Sequence, residues 1–151
     1  MLKIEQQKSL KQYNTFGLDV TADYFTSVNS IEELITLLHD NQFKSTPKMF
    51  LGGGSNVLLT KDYSGLVIHN CLKGIEVVKQ DQEFVFVKVA SGEVWHEFVL
   101  YCIEHSFGGV ENMSLIPGSV GASPMQNIGA YGVEMKDVFF ELEALNLTTL
   151  Q

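Results

Sequence analysis

The sequence predicts a mixed α and β chain with a small parallel sheet near its start. Three observations point there. Two amphipathic helical stretches, 31–41 and 93–106, alternate with short β-like runs. The first helix lies between two such runs, a crossover that suits parallel pairing. A β-hairpin pattern then occupies residues 74–92.

Taken in order, "DYFTSVNS" (23–30) reads as a strand ending in a helix cap. Ser30 is the expected N-cap, and Glu33 stands three residues on, as a capping box requires. The helix "IEELITLLHDN" places Ile31, Leu34, Ile35 and Leu38 on one face. Lys44 to Pro47 turn the chain, and "KMFLGGG" (48–54) reads as a strand running into glycines. "NVLLT" (56–60) is a second buried, strand-like run. "DYSG" (62–65) is turn chemistry, and "LVIHN" (66–70) is a further strand. The hairpin turns at "QDQE". Ser91 or Gly92 opens the second helix, with Val94, Trp95, Phe98, Val99, Cys102 and Ile103 inward. Glu93, His96, Glu97 and Glu104 lie on its outer side, and "FGG" (107–109) offers glycine for a left-handed C-cap. The stretch 110–134 mixes Gly, Pro, Ser and Asn with Ile116, Met125, Ile128 and Tyr131, the composition of a long loop ordered around something. "VFFELEALNLTTLQ" alternates like a strand and stops where a hairpin turn is expected, so the chain is expected to be incomplete at its C-terminal end.

Composition bounds the function. Of 151 residues, 45% are hydrophobic and 19% charged, enough for a core without disulfide or metal. The net charge of −8, from 10 basic and 18 acidic residues, argues against a nucleic-acid partner. Cys71 and Cys102 are isolated thiols, the first residues are too polar for a signal peptide, and no apolar run is long enough to cross a bilayer. The expectation is a soluble, cytoplasmic chain with no membrane partner.

Successive glycines at 52–54 reach φ values closed to other residues, and their N–H groups can converge on an anion. A phosphate-binding P-loop needs Gly-Lys-Ser/Thr, whereas Ser55-Asn56 follows here. A dinucleotide fingerprint needs a third glycine where Val57 stands. Two readings stay open on these residues, an anion nest and a tight turn between buried strands. Gly118 and Gly121 in "IPGSVGASP", with the further glycines of "NIGAYG", supply two more places where backbone can approach a ligand. His96-Glu97 lacks the second histidine of a metalloprotease, since Leu100 stands there. His39, His69 and His105 read as solvated or capping residues. Ser119 and Ser123 lack a nucleophile elbow, and Trp95 and Phe98 read as core. Tyr131 is the aromatic candidate to meet a flat ligand or substrate, with packing as its competing role.

The segments "NTFG" (14–17), "LGGGSNVLL" (51–59), "GEVWHEFV" (92–99) and "GVENMSLIPGSVGASPMQNIGAYGVE" (109–134) resemble the UDP-N-acetylenolpyruvoylglucosamine reductases, in order and over nearly the whole chain. The resemblance implies an α+β fold, the FAD-binding domain of the p-cresol methylhydroxylase/vanillyl-alcohol oxidase type with two small α+β sub-domains. Residues 1–151 would form that domain, incomplete at the C-terminal end, with the substrate-binding domain absent. It further implies that Gly52, Gly53, Gly54, Ser55 and Asn56, with Val57, cradle the pyrophosphate of FAD. Asn70 would lie near the adenine. Ile116, Pro117, Gly118, Gly121, Ala122, Ser123, Met125, Gln126, Asn127, Gly129 and Ala130 would border the ribityl chain and the isoalloxazine, with Tyr131 near flavin or substrate. Covalent relatives carry His right after such glycines. Ser55 stands there, so the FAD is expected to be non-covalent. The implied reaction carries hydride from NADPH through flavin to the enolpyruvyl group of a UDP-sugar, in peptidoglycan biosynthesis, a pathway serving cell-wall biogenesis, cell shape and cell division. The family's acting Arg, Glu and Ser lie beyond the matched segment, so no catalytic residue is expected in this chain. A flavin oxidase with another substrate and a non-catalytic phosphate-ligand module are the alternatives. "NTFG" and "QNIGAYG" argue against the oxidase.

Overall fold

The structure, a computed structural model, describes residues 2–150. They divide into two compact units, one of residues 2–71 and 140–150 and the other of residues 72–139, and each is described by itself.

The first unit is built on a four-stranded mixed sheet of β1 (Glu5–Ser9), β2 (Thr21–Val28), β3 (Lys48–Leu51) and β4 (Tyr63–Asn70) in the order β1-β2-β4-β3. β1 is antiparallel to β2, while β2, β4 and β3 run parallel. The crossover helix α1 (Ile31–His39) therefore joins two strands of one sheet, as expected, with β4 inserted between them. β1 lies in the stretch that the sequence showed only as polar. Tyr63 to Gly65 belong to β4 rather than to a turn. Residues 56–60 form no strand; they bury Leu59 in a core cluster and expose Leu58.

The Ser30 hydroxyl accepts from Glu33 N–H at 3.1 Å, but the Glu33 carboxylate reaches back one residue further, to Asn29 N–H at 2.8 Å. α1 buries Leu37 with Leu34 beside it and leaves Ile31 54% exposed. Its apolar arc is wider than one stripe, and the contact with Phe43, Leu66 and Ile68 selects the 34/37 side. The opposite sheet face packs Leu10, Ala22, Phe25, Leu51, Leu59 and Val67.

The second unit holds the predicted hairpin, β5 (Ile75–Gln80) with β6 (Val85–Val89), and helix α2 (Trp95–Glu104). α2 starts later than expected, at a Val94 N-cap with no side-chain hydrogen bond, because residues 91–94 bond elsewhere, as described below. Val94 and Ile103, expected inward, are exposed. Its end is a left-handed cap built on Ser106 (φ 60) rather than on a glycine. Phe107 N–H donates to Cys102 C=O at 2.8 Å, and Ser106 N–H donates to Ile103 C=O at 3.0 Å. Trp95, Phe98, Val99, Cys102, Val110 and Met113 form the unit's core. The short helices α3 (Ser123–Gln126) and α4 (Met135–Val138) flank a two-residue hairpin of β7 (Gly129–Ala130) and β8 (Val133–Glu134). The alternating run from Phe139 to Leu145 forms no strand, since alternation alone supplies no partner for a ladder.

Candidate functional site

In the first unit the strand register locates the glycine turn. Leu51 lies opposite His69, and Val28 opposite Asn70, so residues 52–56 leave the sheet at the carboxyl ends of the parallel strands. Open sheets with parallel strands collect ligands at that edge. Gly52 is half-buried, Gly53 exposed, Gly54 buried, Ser55 half-buried and Asn56 exposed, while Val57 packs on the core and Asn70 closes β4. Gly54 has φ +65, and a Cβ there would lie 2.0 Å from the Tyr13 carbonyl oxygen and 3.1 Å from Asn14 Cα. Its glycine identity is therefore required by backbone packed on backbone. The segment above it is pinned by buried Asn14, whose amide donates to the carbonyls of Leu10 (2.8 Å) and Leu18 (3.0 Å) and accepts from Leu18 N–H (3.0 Å). Thr15 N–H then donates to Gly54 C=O at 3.2 Å. Asn14 is a structural anchor that the sequence indicated only through "NTFG".

His69 departs from expectation. Its Nδ1 lies 3.3 Å from Ser27 Oγ and 3.2 Å from Cys71 Sγ, its ring meets Tyr13 edge-on at 5.2 Å, and burial holds its pKa below the usual value. His39 and His105 are the capping residues expected, each with Nδ1 2.8 Å from the carbonyl four residues back. Among the described residues no cluster of His, Cys, Asp and Glu could hold a metal, and no helix is long and apolar enough to cross a membrane.

In the second unit, residues 91–96 clasp residues 113–121 by successive bonds. The Trp95 indole N–H donates to Met113 C=O at 2.8 Å, in the core. His96 Nδ1 meets Ser114 Oγ at 3.1 Å and Leu115 N–H at 3.3 Å. Trp95 N–H donates to Gly118 C=O at 3.0 Å, and Val94 and Ser119 form a β-bridge. Val120 N–H donates to Glu93 C=O, and Gly121 N–H donates to Ser91 C=O, both at 2.9 Å. A Cβ on Gly121 would sit 2.6 Å from the Ser91 Cβ. This clasp is why α2 does not begin at Glu93. Gly74 N–H and the Lys73 ammonium hold the Glu93 carboxyl below its ordinary pKa and fix the same segment to β5.

The remaining predicted site residues divide by role. Ile116 packs against the core, and the Ser123 hydroxyl donates to Val120 C=O at 2.7 Å. Asn127 is the left-handed C-cap of α3 (φ 41), with its amide on Glu134 and on Lys136 N–H. Gly129 lies against Val133 C=O, and Ala122 and Ala130 are half-buried. Pro117 and Gln126 are exposed. Met125 is 90% and Tyr131 91% exposed, so Tyr131 does not pack in the core. Tyr131 (φ 52) and Gly132 (φ 84) are the two central residues of the β7–β8 turn, a mirror-image hairpin turn that the sequence reading missed. Its signal was the glycine after Tyr131.

A family model described as "FAD binding domain" matches residues 22–148. A protein of Flavobacterium johnsoniae named UDP-N-acetylenolpyruvoylglucosamine reductase is 55% identical over 148 residues, covering 98% of this chain and 43% of that protein. One of the same name from Bacteroides fragilis is 49% identical over 144 residues, covering 95% and 43%. The crystal structure of UDP-N-acetylenolpyruvylglucosamine reductase (MurB) from Thermus caldophilus superposes with a TM-score of 0.68 at 26% identity, covering 91% of this chain and 47% of that one. The chain thus spans less than half the length of the relatives it matches.

Proposed function

The chain belongs to the FAD binding domain family, and from that premise we propose that it is the flavin-holding part of a UDP-N-acetylenolpyruvoylglucosamine reductase acting in peptidoglycan biosynthesis. The observation that carries this reading is 55% identity along 98% of the chain to a protein of that name. The turn fits the cofactor. Gly52 and Gly53 leave backbone free of side chains at the carboxyl edge of a parallel sheet, where N–H groups meet a diphosphate. All ten basic residues of these 151 are lysines, so this stretch brings no arginine fork and its own contribution comes from the backbone. Ser55, Asn56 and Asn70 complete the nucleotide side. On the second unit, Pro117, Gly118, Met125, Gln126 and Tyr131 offer small or exposed surface to the ring and to the substrate. Gly54, Gly121, Ala122, Ser123, Asn127, Gly129 and Ala130 hold the shapes of those segments, with Val57 and Ile116 anchoring each to its core.

The bound flavin supplies two-electron transfer from NADPH to the enolpyruvyl double bond of the UDP-sugar. This chain's part is to bind and orient, without a covalent tether, and the protein works in the cytoplasm. The test is to purify the full-length protein, identify any released flavin by mass, and follow NADPH oxidation with and without the enolpyruvyl UDP-sugar. Substrate-dependent oxidation by an FAD-loaded protein is the expected result. A colourless protein that takes up no FAD overturns the reading.

A further inference from the structure

We propose that His96 is a positioning residue for flavin binding, acting through the arch 114–117; this rests on the flavin-holding reading above. Leu115 is a non-glycine residue at φ 62 and its side chain is 76% exposed, so packing does not hold it in that conformation. A left-handed leucine persists only where its surroundings over-determine it. The bond that does so is Leu115 N–H to His96 Nδ1 at 3.3 Å, with the Ser114 hydroxyl on the same nitrogen at 3.1 Å. A backbone N–H can only donate, so Nδ1 is an acceptor and the ring proton lies on Nε2. Serine and leucine are thus fixed by one lone pair. On either side the arch is closed by Trp95, through its indole N–H to Met113 C=O and its backbone N–H to Gly118 C=O. Between those two bonds, Ile116 packs on the core that α2 helps to form, and His96 supplies the hydrogen bonds that hold Ser114 and Leu115 to α2. Ile116, Pro117 and Gly118, the residues read as bordering the flavin, hang directly from it.

The experiment uses the full-length apo-protein and two variants. His96→Asn keeps an acceptor near the place of Nδ1, while His96→Leu keeps bulk and removes it. FAD affinity is read by quenching of flavin fluorescence, and exchange of the Leu115 amide by mass spectrometry or NMR. We expect His96→Leu to lose about tenfold in FAD affinity, the worth of one hydrogen bond and the order it imposes, and to exchange the Leu115 amide faster. His96→Asn restores both to within about threefold of the parent. Equal losses in the two variants, or full affinity in His96→Leu, overturn the inference while leaving the flavin reading intact. A parent protein that binds no FAD overturns both. Should His96→Leu not fold, an unprotected Leu115 amide in the parent is by itself enough to refute the clamp.

Discussion

Gly54→Ala tests what the last glycine of the turn is for. An added Cβ would sit 2.0 Å from the Tyr13 carbonyl oxygen, against the 3.4 Å at which ordinary contact begins. The carbonyl cannot swing away freely, because Tyr13 N–H donates to Leu10 C=O at 2.9 Å and the Asn14 amide is bonded on both sides. Relief requires separating the two backbones and breaking the bond from Thr15 N–H to Gly54 C=O. A left-handed alanine costs about 1–2 kcal/mol, and each displaced hydrogen bond about 1 kcal/mol more. The expected loss is about 3 kcal/mol with one or two bonds gone. Gly17 provides the control, with nearly the same φ (+64) and nothing within 4 Å of an added Cβ. Gly17→Ala should therefore cost only the conformational share, about 1–2 kcal/mol. The assay is urea unfolding of the apo-protein, comparing midpoints at constant slope. Equal losses at the two positions would refute the packing argument. Because the measurement is made without cofactor, it also separates a folding role for Gly54 from one in holding phosphate.

Thr26 is 1% exposed and its hydroxyl has no partner, so Thr26→Val should raise stability by about 1 kcal/mol in the same assay; a loss would mean that the hydroxyl is satisfied in solution. Burial holds the His69 pKa below its ordinary 6.5. Between the folded value and 6.5 the unfolded chain takes up a proton that the folded one does not, so this histidine's share of stability is present above 6.5 and lost as pH falls through that window. His69→Asn should flatten the melting temperature between about pH 5 and 7, and an unchanged slope would remove His69 as its source. Burial, with the charge of Glu111 adding, pushes the Cys102 thiol up to about 11. Peptide mapping after a thiol reagent at about pH 8 should find Cys102 unmodified until denaturant is added; labelling of the native protein would show that the core opens.

The regular elements were legible wherever periodicity met an end signal. α1 followed from its apolar spacing and Ser30, and β5–β6 from alternation around "QDQE". β1 was not, because "EQQKS" pairs through its backbone at a sheet edge and needs no apolar pattern. The start of α2 was misplaced because residues 91–94 have helical neighbours in sequence but bond to 119–121, a demand from about 25–30 residues away that no local rule sees. His69 was read as solvated or capping because its surroundings, Tyr13, Ser27 and Phe25, come together only in the fold.

The glycines show how far a site can be read from composition. In sequence, the glycines of "LGGGSN", "IPGSVGA" and "NIGAYG" looked alike, as places left open for a ligand. Three of them are occupied by the protein itself. Gly54 is filled by Tyr13, Gly121 by Ser91 and Gly129 by the Val133 carbonyl. Each permits two backbones to touch, and each would be glycine whether or not a cofactor bound. A ligand hypothesis is therefore strongest at positions whose exposure has no such internal cause, among them Pro117, Met125 and Tyr131. Tyr131 is the sharpest of these. A 91% exposed aromatic at φ 52 gains nothing from the core and is held by a two-residue turn, so the fold presents this ring outward. If that ring serves substrate or flavin, Tyr131→Asn, which suits the same turn better, should keep or raise stability while weakening binding; loss of stability without loss of binding would assign the tyrosine to folding instead.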